Sequence, residues 1–460
     1  MKKPEKLYEG NMRKKFFLFA LPLILSALLS QSYSFVNSMM IGKFIGIDAF
    51  AATAVTADLI QLLNSIFFGY LSGVGIYSSV LFGKNDYEKM LNVIKINFLF
   101  SSCLAIAISV LANVFCHQIF DVLNVSDELY RDAEQYFRMY VLGYLFFQFN
   151  WGFIYISNSM GMTKMPFISS IITGIFNICL NYLFLAIWDK GIGYSALASV
   201  ISTGIATSLY LIVYARLFKN MGLKLSGIKL SMKDMKSSAG YGIPTMLQQM
   251  VMYLCATIVS PLANTCSTAA LSGYAIANRA QTLVAAIYQN SSKANTNFIA
   301  QAMGAGLIGK IKQGIKIGVS QGLMLFGVTM GLFIIFAKEF TALFLDPVAD
   351  AESFAVSVNL IRYLMPFIVF NVFNNLFHGI FRAVGSGKFL VISTVIYAVA
   401  FIAFAYLFFY VIPYDFRIYG IYLAYAGAYI TEAIFATVIF VTGKWKTPQY
   451  RKIEQHQSHR

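Results

Sequence analysis

The residues best placed to do chemistry are two carboxylates that stand where carboxylates are expensive. Of the 20 acids in the chain, only Asp58 and Glu432 fall inside long apolar runs. A charged side chain at the centre of a bilayer costs about 2.5–3.5 kcal/mol on insertion scales, so one that is kept there has a use. Glu432 lies in GAYITEAIFAT, with Tyr425 and Tyr429 seven and three residues earlier on the same helical face. It can serve as a protonatable coupling site, or as a neutral hydrogen-bonded acid that ties its helix to its neighbours. Asp58 aligns at helical spacing with Gln61, Ser65, Phe68 and Ser72, a stripe that cannot face lipid cheaply. Arg279 sits at nearly the matching place in the second half, on a face with Thr282, Gln289, Lys293 and Thr296. An Asp58–Arg279 ion pair acting as an outer gate is one expectation; each charge reaching water at its helix end is the other.

Further polar rows surround these groups. Ser26, Ser30, Tyr33 and Asn37 share one face of a run, as do Ser170, Thr173, Asn177 and Asn181, and Asn371, Asn374, Asn375, His378 and Arg382. Gln248 and Gln249 follow Pro244. Rows on so many helices suggest a water-filled chamber; the plainer use of such residues is interhelical bonding, at about 0.6–2 kcal/mol per contact. The 42 Phe and 28 Tyr could wall a site for flat or cationic ligands, though most suit core and interface positions. Catalytic arrangements are absent: the four histidines (117, 378, 456, 459) form no HExxH, and there is no GxSxG or Walker loop. The five cysteines are scattered, with neither a disulfide framework nor a metal site. No cofactor is expected beyond a coupling proton or sodium ion.

The elements that must position these residues are membrane spans. With 58% hydrophobic and 12% charged residues and a mean hydropathy of +0.66, the chain cannot clothe a soluble globule of 460 residues. The net charge of +15 is spread between apolar runs and not gathered in an aromatic-rich patch, which argues against a nucleic-acid partner. Twelve runs are long enough to cross a core of roughly 30 Å: Phe16–Asn37, Ala49–Leu81, Val93–Phe115, Tyr136–Asn158, Pro166–Ile187 and Tyr194–Ala215, then Tyr241–Asn264, Ala269–Ala300, Ile317–Ala337, Ala355–Phe381, Phe389–Ile412 and Tyr419–Thr442. All should be helices, since lipid offers no partner to a free backbone group. The first run reads as a span and not as a removable signal. With the amino terminus inside, 25 of the 35 Lys and Arg fall in inner segments and five in outer loops (Lys43, Arg131, Lys190, Lys338, Arg417), which sets both termini in the cytoplasm.

The order of features repeats. Pro22 answers Pro244, FGKNDYEKMLNVIKI (82–96) answers MGAGLIGKIKQGIKI (303–317), and NSMGMTKMPF (158–167) answers RAVGSGKFLV (382–391). Six spans per half leave both copies the same way up. The expected architecture is an all-α membrane protein of twelve helices in two six-helix lobes around a central cleft: residues 1–215, a basic cytoplasmic connector at 216–240, residues 241–442, and a frayed basic tail at 443–460.

These residues carry a family resemblance. YAIANRAQTLVAAIYQNSSKANTNFIAQAMGAG (274–306), the run from Pro22 to Gly42 ending in VNSMMIG, and NICLNYLF with GIGYSALAS (177–199) resemble the multidrug and toxin extrusion (MATE) family, over nearly the whole chain. The resemblance implies a secondary exporter of organic cations, other amphipathic compounds or metabolites, driven by protons or sodium and working by alternating access. A lipid-linked oligosaccharide flippase of the same superfamily is the alternative; Arg279, Lys293 and Arg382 give it fewer cations than a diphosphate would want. A monomer in the plasma membrane, with a bacterial inner membrane as the setting, follows from the same likeness. One departure matters. The family commonly has aspartate at the positions of Asn37 and Asn181, one branch has another near Asn371, and another places glutamate near Gln248 and Gln249. Amides neither take up a proton at physiological pH nor carry charge. Glu432 and Asp58 are therefore the coupling candidates, with Tyr33, Asn37, Gln61, Asn177, Asn181, Gln248, Gln249, Arg279, Gln289, Lys293, Asn371, Asn374 and His378 as candidate cleft residues.

Overall fold

The structure, a computed structural model, describes residues 6–122, 125–223, 227 and 229–458. Lys2, Lys3, Lys224 and His459 lie outside the described residues. Every regular element among those residues is helical. The apolar runs become α1 (Met12–Phe44), α2 (Ile47–Gly83), α3 (Tyr87–Val114), the short α4 (Cys116–Val122), α5 (Asp127–Leu142), α6 (Tyr144–Ser159), α7 (Lys164–Asn181, prolonged by a π turn over Tyr182–Ile187) and α8 (Gly193–Asn220). The second half follows with α9 (Met232–Asn264), α10 (Thr268–Gly304), α11 (Ile308–Ile335), the short α12 (Ala337–Ala342), α13 (Ala351–Asn359), α14 (Val369–Ala383), α15 (Gly387–Val411), α16 (Arg417–Val441) and α17 (Pro448–Ser458).

The internal duplication is visible in helix lengths that hydropathy alone could not define. α1 and α9 each have 33 residues, α2 and α10 each 37, and α3 and α11 each 28. A short helix follows the third member of each half, and the next span is broken in each. In the first half the break is at Gly143; in the second it is a π turn and a 3-10 turn over Leu360–Ile368, which contains Pro366. The turns agree as well. Asn85 and Gly306 both take positive φ, at 64° and 74°, where the chain leaves its longest helices, and Gly161 and Gly385 do so at 76° and 79°. A left-handed residue just past a helix end is the usual way to cap the last carbonyls.

The chain forms two compact units. In the first, α2 packs against α3, α5 and α6, and α8 packs against α5, α6 and α7. The unit runs from Phe17 to Met246, with residues 6–10, so it takes in the first part of α9. Side-chain-free contacts hold that part. A Cβ on Gly73 would collide with the carbonyl of Tyr241, and one on Gly69 would lie 2.8 Å from the Cα of Met246. Ser238 bonds Asn97 of α3 at 3.0 Å, and Lys89 pairs with Asp234 at 3.3 Å. The two compact units meet inside α9, between Met246 and Leu247.

In the second unit, Asn11–Phe16 and Leu247–Arg460, α10 packs against α11, α13 and α14, and α16 against α14 and α15. The tail, expected to be frayed, is helical and anchored. Trp445 and Tyr450 are buried, Thr447 bonds the carbonyl of Val384, Gln457 donates to that of Gly306, and Lys446 pairs with Glu454 at 3.0 Å. Burial pushes the Tyr450 hydroxyl up to about 12.

Ten helical segments among the described residues are long and apolar enough to cross a membrane. The two expected spans outside that set have physical reasons to differ. The fourth is split at Gly143 and starts at Asp127 with two polar turns. The eighth, α10, carries Ser291, Ser292, Asn295, Thr296, Asn297 and Gln301, all buried and so shielded from lipid. Outward-facing residues such as Ile106, Val110, Leu111, Ile212, Val399, Val411, Ile434 and Val438 remain exposed, a surface that only lipid can cover.

Candidate ion-coupling site

Glu432 lies on α16 about 14 Å from that helix's carboxy end at 1.5 Å per residue, among apolar neighbours that would leave its charge without solvent. Its residual exposure is 2%. Three other helices of the same unit bring polar groups to it. His378 of α14 places Nε2 at 3.1 Å from Oε1, and Ser393 of α15 donates its hydroxyl to Oε1 at 3.3 Å. Nε2 also lies 3.1 Å from Ser393 Oγ. Gln248 of α9 donates its amide to His378 Nδ1 at 2.7 Å. His378, Ser393 and Gln248 are themselves buried, at 5%, 0% and 8%.

The donor pattern fixes the imidazole tautomer. An amide nitrogen can only donate, so Nδ1 holds a lone pair and the ring proton sits on Nε2, pointing at the carboxylate. Oε1 of Glu432 thus receives two donors, which take the place of water around the buried carboxyl group. The surroundings are aromatic and tightly bonded. Tyr397 stacks on Tyr429 with centroids 5.4 Å apart, and Phe401 lies 4.3 Å from Tyr425. Asn374 donates to the Tyr429 carbonyl at 3.0 Å, and Asn371 to the Tyr288 hydroxyl at 2.9 Å. One turn along α14, Arg382 donates to the His378 carbonyl at 3.2 Å.

The first unit holds a second polar cluster without an acid. Ser195 of α8 donates to Asn37 Oδ1 at 3.1 Å, and Asn177 to Ser199 Oγ at 3.0 Å. Asn181 donates to the Asn177 carbonyl and side chain at 2.9 and 3.2 Å. Ser26 bonds Ser170 at 2.9 Å, and Tyr33 packs against Gly174. Asn177 and Asn181 are buried. In the Asn177–Asn181 and Asn371–Asn375 rows, Asn177, Asn371 and Asn374 bond neighbouring helices, while Asn181 and Asn375 bond back within their own helix. Asp58, Gln61, Arg279 and Lys293 are exposed on their own units and belong to neither cluster; Gln249 and Gln289 are half-buried. The Arg279 guanidinium lies 6.0 Å from the centre of the Phe344 ring.

Sequence reasoning missed Ser393, Ser195 and Ser199. Ser195 and Ser199 are four residues apart in GYSALAS, a one-face spacing that could have been flagged. Ser393 lies beside Thr394 near the start of the most apolar of the ten spans, and hydroxyls in so apolar a run were the available signal.

The MatE family profile matches residues 22–183 and 244–407, one match in each half. The chain belongs to the MatE family. Among curated proteins it is similar to the “Probable multidrug resistance protein YoeA” of Bacillus subtilis (strain 168), with 26% identity over 74% of this chain and 75% of that one. The “Multidrug export protein MepA” of Staphylococcus haemolyticus (strain JCSC1435) is 24% identical over 84% of this chain and 85% of its own. A solved structure of an outward-facing multidrug resistance MATE family transporter of the MOP superfamily superposes with a TM-score of 0.87 at 18% identity, over 97% of this chain and 99% of that one. The chain therefore has the MatE fold, an all-helical, two-unit, multi-pass membrane architecture.

Proposed function

We propose that this MatE protein is a secondary active exporter that moves amphipathic or cationic small molecules outward by alternating access, in antiport with a proton or sodium ion. The observation that supports the ion coupling is the buried Glu432, held by His378 and Ser393. A buried carboxylate binds a cation strongly, and release requires that the site change its surroundings. The multidrug names of YoeA and MepA support the cargo class, and they favour export of small compounds over the flipping of lipid-linked sugars. Work on this reading is transport and not chemistry on the cargo. The charge distribution supports cytoplasmic termini, and the bacterial relatives support a bacterial plasma membrane.

In this reading the first unit's amides, Asn37, Asn177 and Asn181, shape and bond the helices without titrating, so coupling rests on the second unit. The test is purified protein in liposomes with a fluorescent planar organic cation, ethidium, under a pH gradient or a sodium gradient imposed separately. Gradient-driven dye movement under one of the two supports the proposal. Movement that is the same with no gradient, or none under either, overturns it.

A further inference from the structure

The Gln248 side chain shows an asymmetry that the coupling reading does not use. Its amide nitrogen donates to His378 Nδ1, while its own Oε1 is buried without a hydrogen-bond partner among the described residues. A buried acceptor left unbonded is costly, and the residue has only 8% of its surface exposed. A half-turn of the amide would exchange the two ends. Oε1 would then face Nδ1, where it can accept but not donate, and Nδ1 would have to carry a proton.

Resting on the coupling reading, we infer that Gln248 is a positioning residue whose amide rotation lets His378 take a second proton, making the Glu432–His378 pair the proton store. In one state, Gln248 donates, His378 is neutral with its proton on Nε2, and Glu432 is the anion, so the group carries one net negative charge. A proton arriving from water bonds to the Nδ1 lone pair. The amide turns, its carbonyl accepts from the new N–H, and the imidazolium and carboxylate form a neutral pair in contact. Loss of the proton reverses each step. The proton removes a net charge from a buried site, while the turned amide exchanges an unbonded acceptor for an unbonded donor, so it is the neutralisation that favours occupancy until an incoming cation or water compensates Glu432.

The other groups facing the pair fit this account. Arg382 of α14 donates to the His378 backbone carbonyl. Lys293 of α10 lies within electrostatic reach of Arg382. Tyr397 of α15 and Tyr429 of α16 stack beside Glu432. From α9 the contact is the uncharged Gln248. None of these side chains is a second buried acid that would compete for the proton.

The experiment is a pH titration of the full-length protein in lipid nanodiscs, labelled with nitrogen-15 histidine, with the His378 signal assigned by its loss in His378→Gln. In Gln248→Glu a fixed acceptor replaces the amide, and the ring's pH midpoint is expected to move at least about one unit to the alkaline side of the unsubstituted protein. In Gln248→Leu the N–H has no acceptor, and the midpoint is expected to move about one unit or more to the acid side. Midpoints that stay within about 0.3 unit in both variants, or that move in the same direction, overturn the inference. The two variants pull in opposite directions, so a common loss of packing cannot mimic the expected result. The titration needs no transport, so opposite shifts combined with liposomes that move no dye would refute the export reading and leave the proton store standing.

Discussion

Replacing Glu432 separates its structural role from its coupling role, because glutamine and alanine remove different things. In Glu432→Ala the Nε2–H of His378 and the hydroxyl of Ser393 both lose their acceptor in a dry site. Each stranded donor costs about 1–3 kcal/mol, and the total should fall in the about 3–5 kcal/mol range seen when a buried pair loses one member. At about 2–4 °C per kcal/mol for a unit near 200 residues, that is a fall of about 10 °C in the melting temperature of the detergent-solubilised protein. Glu432→Gln keeps an oxygen at the Oε1 position and nearly the same volume, so it should cost less than about 1.5 kcal/mol. It cannot ionise, however. Export of ethidium driven by a pH gradient in liposomes should fall at least about tenfold, an effect of about 1.4 kcal/mol or more on the coupled step, while passive dye leak is unchanged. A glutamine variant that exports at the unsubstituted rate with the same pH dependence would refute Glu432 as the coupling acid. Equal destabilisation by glutamine and alanine would show that the carboxylate's charge holds the fold.

Gly73→Ala places a methyl group against the Tyr241 carbonyl, with backbone and not a flexible side chain in the way; overpacking of about 1–3 kcal/mol should appear as a lower melting temperature, whereas Gly327→Ala, with nothing near its added Cβ, should leave it unchanged. Tyr450→Ala removes a buried anchor of α17 and should cost about 3 kcal/mol, read as faster proteolysis after residue 445 and faster amide exchange in the Gly306 turn. Asp346 accepts from the backbone N–H groups of Val348 and Ala349, which holds its carboxyl below the ordinary 3.8. The turn it caps is therefore fully supported above that ordinary value and loosens as pH falls through the lower folded value. Amide exchange at Val348 and Ala349 should rise below pH 3.8 after correction for intrinsic rates, and Asp346→Asn should abolish that extra acid dependence.

The spans, their order and the duplication were legible because lipid imposes a one-dimensional rule: an apolar run of sufficient length is a helix. Glu432 was legible for the same reason, as a charge inside such a run. What escaped was decided in three dimensions. Ser393 matters because α15 brings it beside α14 and α16, and its letter in the sequence says only that it is small and polar. The amide rows could line water or bond helices: Asn177, Asn371 and Asn374 are buried in bonds between helices and Asn181 in a bond within its own, since an asparagine row satisfies either environment. The tail looked soluble by composition. Its order comes from Trp445, stacked on Phe440, and Tyr450, packed edge-on against Trp445, with Thr447 and Gln457 bonding the carbonyls of Val384 and Gly306. The unit boundary inside α9 was hidden because a continuous helix carries no compositional mark where its packing partners change.

The most direct test of antiport is to drive the ion with the cargo. Liposomes carrying the purified protein and a trapped pH indicator, at equal pH and equal sodium on both sides, receive a sudden outside dose of ethidium. Obligate exchange predicts that dye entry expels protons, so the lumen becomes more alkaline, and that Glu432→Gln abolishes this change. Dye entry at the same rate with no change of internal pH, and none of internal sodium when a sodium indicator replaces the pH indicator, would contradict it.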